Sequence, residues 1–86
     1  MKVYILVRKE EYDNGDPEFS VNDFSVVGAY SSLDKTREAA KRKILEEVED
    51  RNQVSAFECG FLYDFSPEGH VWHLLKYFYF EQELID

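Results

Sequence analysis

An intramolecular disulfide is closed to this chain, because its 86 residues include one cysteine, Cys59. A lone thiol fits a reducing compartment. Proline is scarce at two residues and glycine at four. The glycines are scattered, so no Gly-rich phosphate loop can be assembled. No long hydrophobic run is present either. Residues 3–7 are apolar, but Arg8 and Lys9 follow at once. That stretch is too short for a signal peptide or a membrane span, and the expected location is the cytoplasm. Positive charge is the last deficit: ten Lys and Arg face eighteen Asp and Glu, a net charge of −8. Such a field repels phosphate backbones and anionic membranes. The expected partner is instead a protein with a basic surface or a nucleic-acid-binding groove.

Aromatic residues are plentiful, at 16% of a chain that is 44% hydrophobic. Each buried ring removes roughly 150–250 Å² from water. Disorder is therefore not expected despite 33% charged residues. A chain of this length makes a single domain, residues 1–86, burying roughly 60–65% of its unfolded surface.

Residues 2–9 predict a first strand. Val3, Ile5 and Val7 point one way and Tyr4 and Leu6 the other, which predicts a central strand. Residues 10–20 predict a polar loop with five acids, Glu10, Glu11, Asp13, Asp16 and Glu18. Asn14-Gly15 supplies its tight turn, and Pro17 keeps it out of a sheet interior. Residues 22–30 predict a second strand antiparallel to the first, with Gly28 marking a bulge. Ser31 and Asp34 have capping-box spacing, opening a helix over residues 33–51. Its stripe of Leu33, Ala40, Ile44 and Val48 should lie on the sheet.

Residues 54–65 read as one strand with Phe57, Cys59, Phe61, Tyr63 and Phe65 on one face. Ser66-Pro67-Glu68-Gly69 reads as a type I turn leading into a last strand over residues 70–80. If Phe65 pairs with His70 across that turn, Phe61 faces Leu74. The expected fold is α+β: a ββαββ chain making a four-stranded antiparallel sheet with one helix packed on one face. Phe57, Phe61, Trp72 and Leu74 should then lie under the helix. Leu75, Tyr77 and Tyr79 should form an aromatic patch on the uncovered face, for a partner or a second copy of the chain.

Lys2-Val3-Tyr4-Ile5-Leu6, the junction Val27-Gly28-Ala29-Tyr30-Ser31-Ser32, Ala39-Ala40 in a charged helix and the aromatic-acidic ending form a pattern. It resembles short phage and bacterial proteins of unknown function, which open on a Val-Tyr strand and carry a Gly-x-Tyr-Ser-Ser strand-to-helix junction. The likeness covers the outer parts of the chain and fails over residues 52–70. It implies a fold and a phage or mobile-element setting, and carries no functional residue across.

Catalytic, metal and cofactor sites are not expected. Cys59, His70 and His73 cannot converge in the expected register, since the two histidines point to opposite faces. Cys59 among Phe57 and Phe61 reads as a buried, inert thiol. Glu58 and Asp64 share a face but stand six positions apart, as on a solvated surface. The helix is odd, however. Lys35, Arg37, Lys41, Arg42 and Lys43 precede Glu46, Glu47, Glu49 and Asp50. The macrodipole prefers the reverse by about 0.3–1 kcal/mol per charge. The expectation is a non-enzymatic interaction domain, with Glu10, Glu11, Asp13, Asp16, Glu46, Glu47, Glu49 and Asp50 meeting a basic partner. An inhibitor of a host defence complex, of anti-CRISPR type, is one form of it. The alternative is a small-molecule sensor with an aromatic pocket between sheet and loop 10–20.

Overall fold

The computed structural model describes residues 1–13, 21–65 and 72–84. The elements are β1 (Lys2–Asp13), β2 (Val21–Tyr30), α1 (Leu33–Glu47), a 3₁₀ turn (Arg51–Gln53), β3 (Val54–Phe57), β4 (Gly60–Phe65) and β5 (Trp72–Glu83). They form one antiparallel sheet in the order β2-β1-β5-β4-β3. The α+β class stands, but the four-stranded ββαββ layout is overturned. What read as one strand over residues 54–65 is a hairpin, in which Phe57 pairs with Gly60 around a Glu58-Cys59 turn.

Gly60 makes that turn possible. Its φ is +154°, and a Cβ there would sit 2.0 Å from the backbone oxygen of Tyr77. The turn is tied to β5 by the Tyr79 amide, which donates to the carbonyl of Cys59 at 2.9 Å. Cys59 is therefore exposed at a hairpin tip rather than buried.

The hairpin also changes register. Phe65 pairs with His73, and Phe61 with Tyr77. Odd positions of β4 now face odd positions of β5, where the expected pairing set odd against even. Because side chains alternate, that change of parity moves a whole strand's hydrophobic set to the other face. Leu75, Tyr77 and Tyr79, expected on the uncovered face, lie under α1 and are 1%, 4% and 7% exposed. Leu74 belongs instead to the far face. The expected turn over residues 66–69, with His70 and Val71, and the Asn14-Gly15 turn with Asp16 and Pro17 lie outside the described residues.

Ser32, not Ser31, caps α1: its Oγ accepts from the Lys35 amide at 3.3 Å, and the Thr36 hydroxyl donates to its carbonyl at 2.6 Å. The helix stops at Glu47, four residues short of expectation. Val48 is already extended at ψ 145°, and Asp50 accepts from the Asn52 amide at 3.0 Å to cap the 3₁₀ turn. Thr36, Ala39, Ala40 and Ile44 form its buried stripe, while Leu33 at its start is exposed. Small Ala39 and Ala40 let the helix settle on Leu6, Phe61, Tyr63 and Leu75. Fully burying a side chain of the size of Leu6 or Ile44 stabilises by about 1.5–3 kcal/mol.

β1 is central, as its apolar residues on both faces imply. It runs to Asp13 because Arg8 and Glu10 find partners on the helix side. The β1–β2 register shifts between Leu6 and Val7, opposite Gly28 and Val26, so the bulge falls on Val27 beside the expected glycine.

One helix covers one face. On the other, Ile5, Val7, Phe24, Val26, Phe78 and Phe80 share a side of β1, β2 and β5. The rings of Phe24 and Phe78, from the strands flanking β1, come within 6.2 Å, and Val7 between those strands is 1% exposed. Phe24, Val26 and Phe80 remain open to solvent at 62%, 65% and 46%.

Candidate functional site

At the C-terminal end of α1 the helix side of the sheet turns polar. Arg8 reaches up from β1 and holds Glu47 in a fork: Nη2 donates at 2.8 Å, and Nε at 3.1 Å to each carboxylate oxygen. The Tyr77 hydroxyl donates to the same carboxylate from β5. Arg8 also lies 3.3 Å from Glu10, whose other contact is the Nε2 of His73 at 2.9 Å. A chain of polar groups thus runs Tyr77–Glu47–Arg8–Glu10–His73 across β5, α1 and β1.

Burial would push the Glu47 carboxyl up, but the hydrogen bonds from Arg8 and Tyr77 and the Arg8 charge outweigh it and hold it below the usual range. The hydrogen bond to Glu47 raises Arg8. Burial first, then the Glu47 hydrogen bond, raises the Tyr77 phenol well above its ordinary value. For Glu47 the odd charge order of the helix is explained here. An acid at the negative end of the dipole is compensated by a cation from another element, Arg8.

Beside this network lies a cleft of about 460 Å³. Tyr12 from β1, Tyr63 and Phe65 from β4 and His73 from β5 line it, with Glu47, Val48 and Glu49 at its helix edge. Tyr12 and Tyr63 meet His73 edge to face, at 5.7 Å and 74° and at 5.5 Å and 71°. Tyr63 and Phe65 run nearly parallel, 6.4 Å apart. Burial raises the Tyr63 phenol, and the negative charges of Asp50 and Glu49 add to it.

The acids singled out in the sequence are not one surface. Glu10 and Glu47 are committed to the internal network, and Glu11 pairs with Lys9 at 3.1 Å. Glu46, Glu49 and Asp50 are exposed at and beyond the end of α1, Asp50 as the cap described above. Asp16 and the side chain of Asp13 lie outside the described residues. Tyr79 is inside, accepting from Arg37 at 2.8 Å, and its hydroxyl lies 3.3 Å from the Glu58 carbonyl. Sequence reasoning missed Arg8, Tyr63, Phe65 and His73 as one site. Arg8 and Glu10 interrupting an apolar alternation were the available signal.

Among the described residues no group of three or more His, Cys, Asp or Glu is placed to hold a metal ion, and no helix is long and apolar enough to cross a membrane. No protein family, curated protein or solved structure matches the chain.

Proposed function

We propose that this chain is a non-enzymatic protein-interaction domain that pairs with a second copy of itself through the open face of its sheet. The acidic end of α1 is then turned outward toward a basic partner. The observation that carries the reading is the apolar far face, where Phe24, Val26 and Phe80 stand exposed together.

Charge favours a second copy on this face. The chain carries −8 overall, yet on the far face Lys9 and Lys76 offset Glu11 and Asp64. Lys76 lays its ammonium over the rings of Phe57 and Phe78, at 4.9 and 5.2 Å. Two copies can therefore meet on a face with no net charge. Five strands about 4.8 Å apart, over the stretch of about 20 Å from Leu74 to Phe80 along β5 that also holds Lys76, span roughly 500 Å² per copy. Two such faces bury roughly 1,000 Å², the lower bound for a specific interface. The pair is thus reversible rather than obligate.

The narrower reading is an inhibitor from a phage or mobile element, filling the nucleic-acid groove of a host defence complex. It draws on the net charge and on the resemblance of the opening strand and the Gly28-to-Ser32 junction.

Sedimentation across a concentration series tests the pairing. The native chain is expected to show a monomer–dimer equilibrium. Val26→Glu should be monomeric, and at a dilution where the native chain is also monomeric its melting temperature should be unchanged, since Val26 is already 65% exposed. A native chain monomeric at every concentration would overturn the reading.

A further inference from the structure

We propose that the cleft at the end of α1 binds an alkylated ammonium group, enclosed by the rings of Tyr12, Tyr63, Phe65 and His73 and balanced by the carboxylate of Glu49. Four rings line one cleft, and successive pairs stand near right angles or near parallel, at 74°, 71° and 14°. His73 packs edge to face on Tyr12 and Tyr63, so the rings that line the cleft cannot all stack on one flat ligand. They can line the wall against a round one, and π-faces attract a cation.

The local charge selects the same class. Glu47 and Glu49 edge the cleft, and Asp50 lies near enough to act on Tyr63. The one arginine at hand, Arg8, is taken up by Glu47 and Glu10. His73, the other nitrogen group at the cleft among the described residues, is likewise taken up by Glu10 at 2.9 Å, so an anion would meet this field with no free cation to receive it. A neutral apolar ligand would desolvate the Glu49 carboxylate with nothing in return. A hard metal ion takes six or more oxygen ligands, which four rings do not supply. An ammonium bearing methyl groups spreads its charge over an apolar surface and loses little hydration in an aromatic enclosure. Glu47 is held in place by Arg8 and Tyr77, so the helix edge of the cleft is fixed before any ligand arrives.

The cleft, at about 460 Å³, is larger than one trimethylammonium group, so the ligand carries a further chain. A small metabolite of the choline or betaine kind and a trimethylated lysine side chain of a protein share this chemistry.

The test is a titration followed by the aromatic NMR signals of the full chain, using choline, its uncharged isostere 3,3-dimethylbutanol, and a short peptide with trimethylated or unmodified lysine. Saturable shifts at Tyr63, Phe65 and His73 with choline are expected, with the uncharged isostere at least about tenfold weaker. Phe65→Ala should weaken choline by about tenfold. Phe65 is 40% exposed, so that variant should keep its native spectrum. Glu49→Gln, on the surface, should weaken choline and leave the isostere unchanged. Tighter binding of the trimethylated peptide than of choline assigns the ligand to a protein side chain, and the reverse order to a metabolite. Equal binding of choline and its isostere, or no saturation with choline or the trimethylated peptide, would overturn the proposal. Val26→Glu should leave the titration unchanged, which separates this site from the sheet face.

Discussion

Glu47 is the residue on which the helix side turns. It stands in the last turn of α1, where a negative charge is ordinarily unfavourable, and it accepts from Arg8 and Tyr77 at once. Glu47→Gln keeps the shape but weakens both charged hydrogen bonds. A loss of about 1–2 kcal/mol is expected in chemical denaturation, at the low end because the side chain is 36% exposed. Glu46 occupies the same turn with no such role. Glu46→Lys should instead stabilise by about 0.3–1 kcal/mol. The pH dependence has a definite sign. The folded carboxyl of Glu47 is held low, so its contribution is present above the unfolded value of about 4.3 and is lost as pH falls through the folded value. Stability measured from pH 6 downward should therefore fall less steeply in Glu47→Gln. An unchanged acid limb would show that Arg8 and Tyr77 do not discriminate the charged form.

Among the elements, the β3–β4 hairpin decides the fold. Gly60→Ala places a Cβ against the Tyr77 backbone at a φ that side chains rarely adopt. Strain and overpacking together should cost about 2–4 kcal/mol, read as a lower denaturation midpoint. A neutral effect would mean that the turn rearranges at little cost. The same hairpin marks where sequence reading stops. β1 as a central strand, β2 antiparallel to it, and Ala40, Ile44, Val48 and Phe61 in the core all follow from local pattern, because alternation and helical spacing are local properties. The break at Glu58-Cys59 does not. Phe57, Cys59, Phe61, Tyr63 and Phe65 alternate without interruption, and no Asn-Gly or Pro announces the turn; Gly60 alone hints at it. Once the strand is read as unbroken, the pairing with β5 takes the wrong parity. Leu75, Tyr77 and Tyr79 then exchange faces with Leu74 and Phe78. The cleft was illegible for the same reason, since Tyr63, Phe65 and His73 share a face only in the true register.

At the scale of the whole molecule, the described chain is long for its mass. Its extents are 49 × 27 × 19 Å, with a radius of gyration of 14.5 Å. A compact chain of this length would have about 12 Å. The length comes from β1 and β5, each of 12 residues, paired along their whole extent from Lys2↔Glu83 to Asp13↔Trp72. Native-state hydrogen exchange should find the slowest amides in the middle of these two strands and much faster ones in β3 at the edge. Uniform protection across the sheet would contradict that. The pairing also sets an order of events during synthesis. Along this sequence β1 is made well before β5, the strand it pairs with over its whole length. Until β5 is available, β1–β2 and β3–β4 are separate hairpins with no strand between them, and α1 has only half a floor. Isolated hairpins are marginal in water. The nascent chain must therefore wait, with Leu6, Phe61 and Tyr63 unprotected, for β5 to zip the two halves together, so maturation depends more on chaperone cover than its small size would suggest.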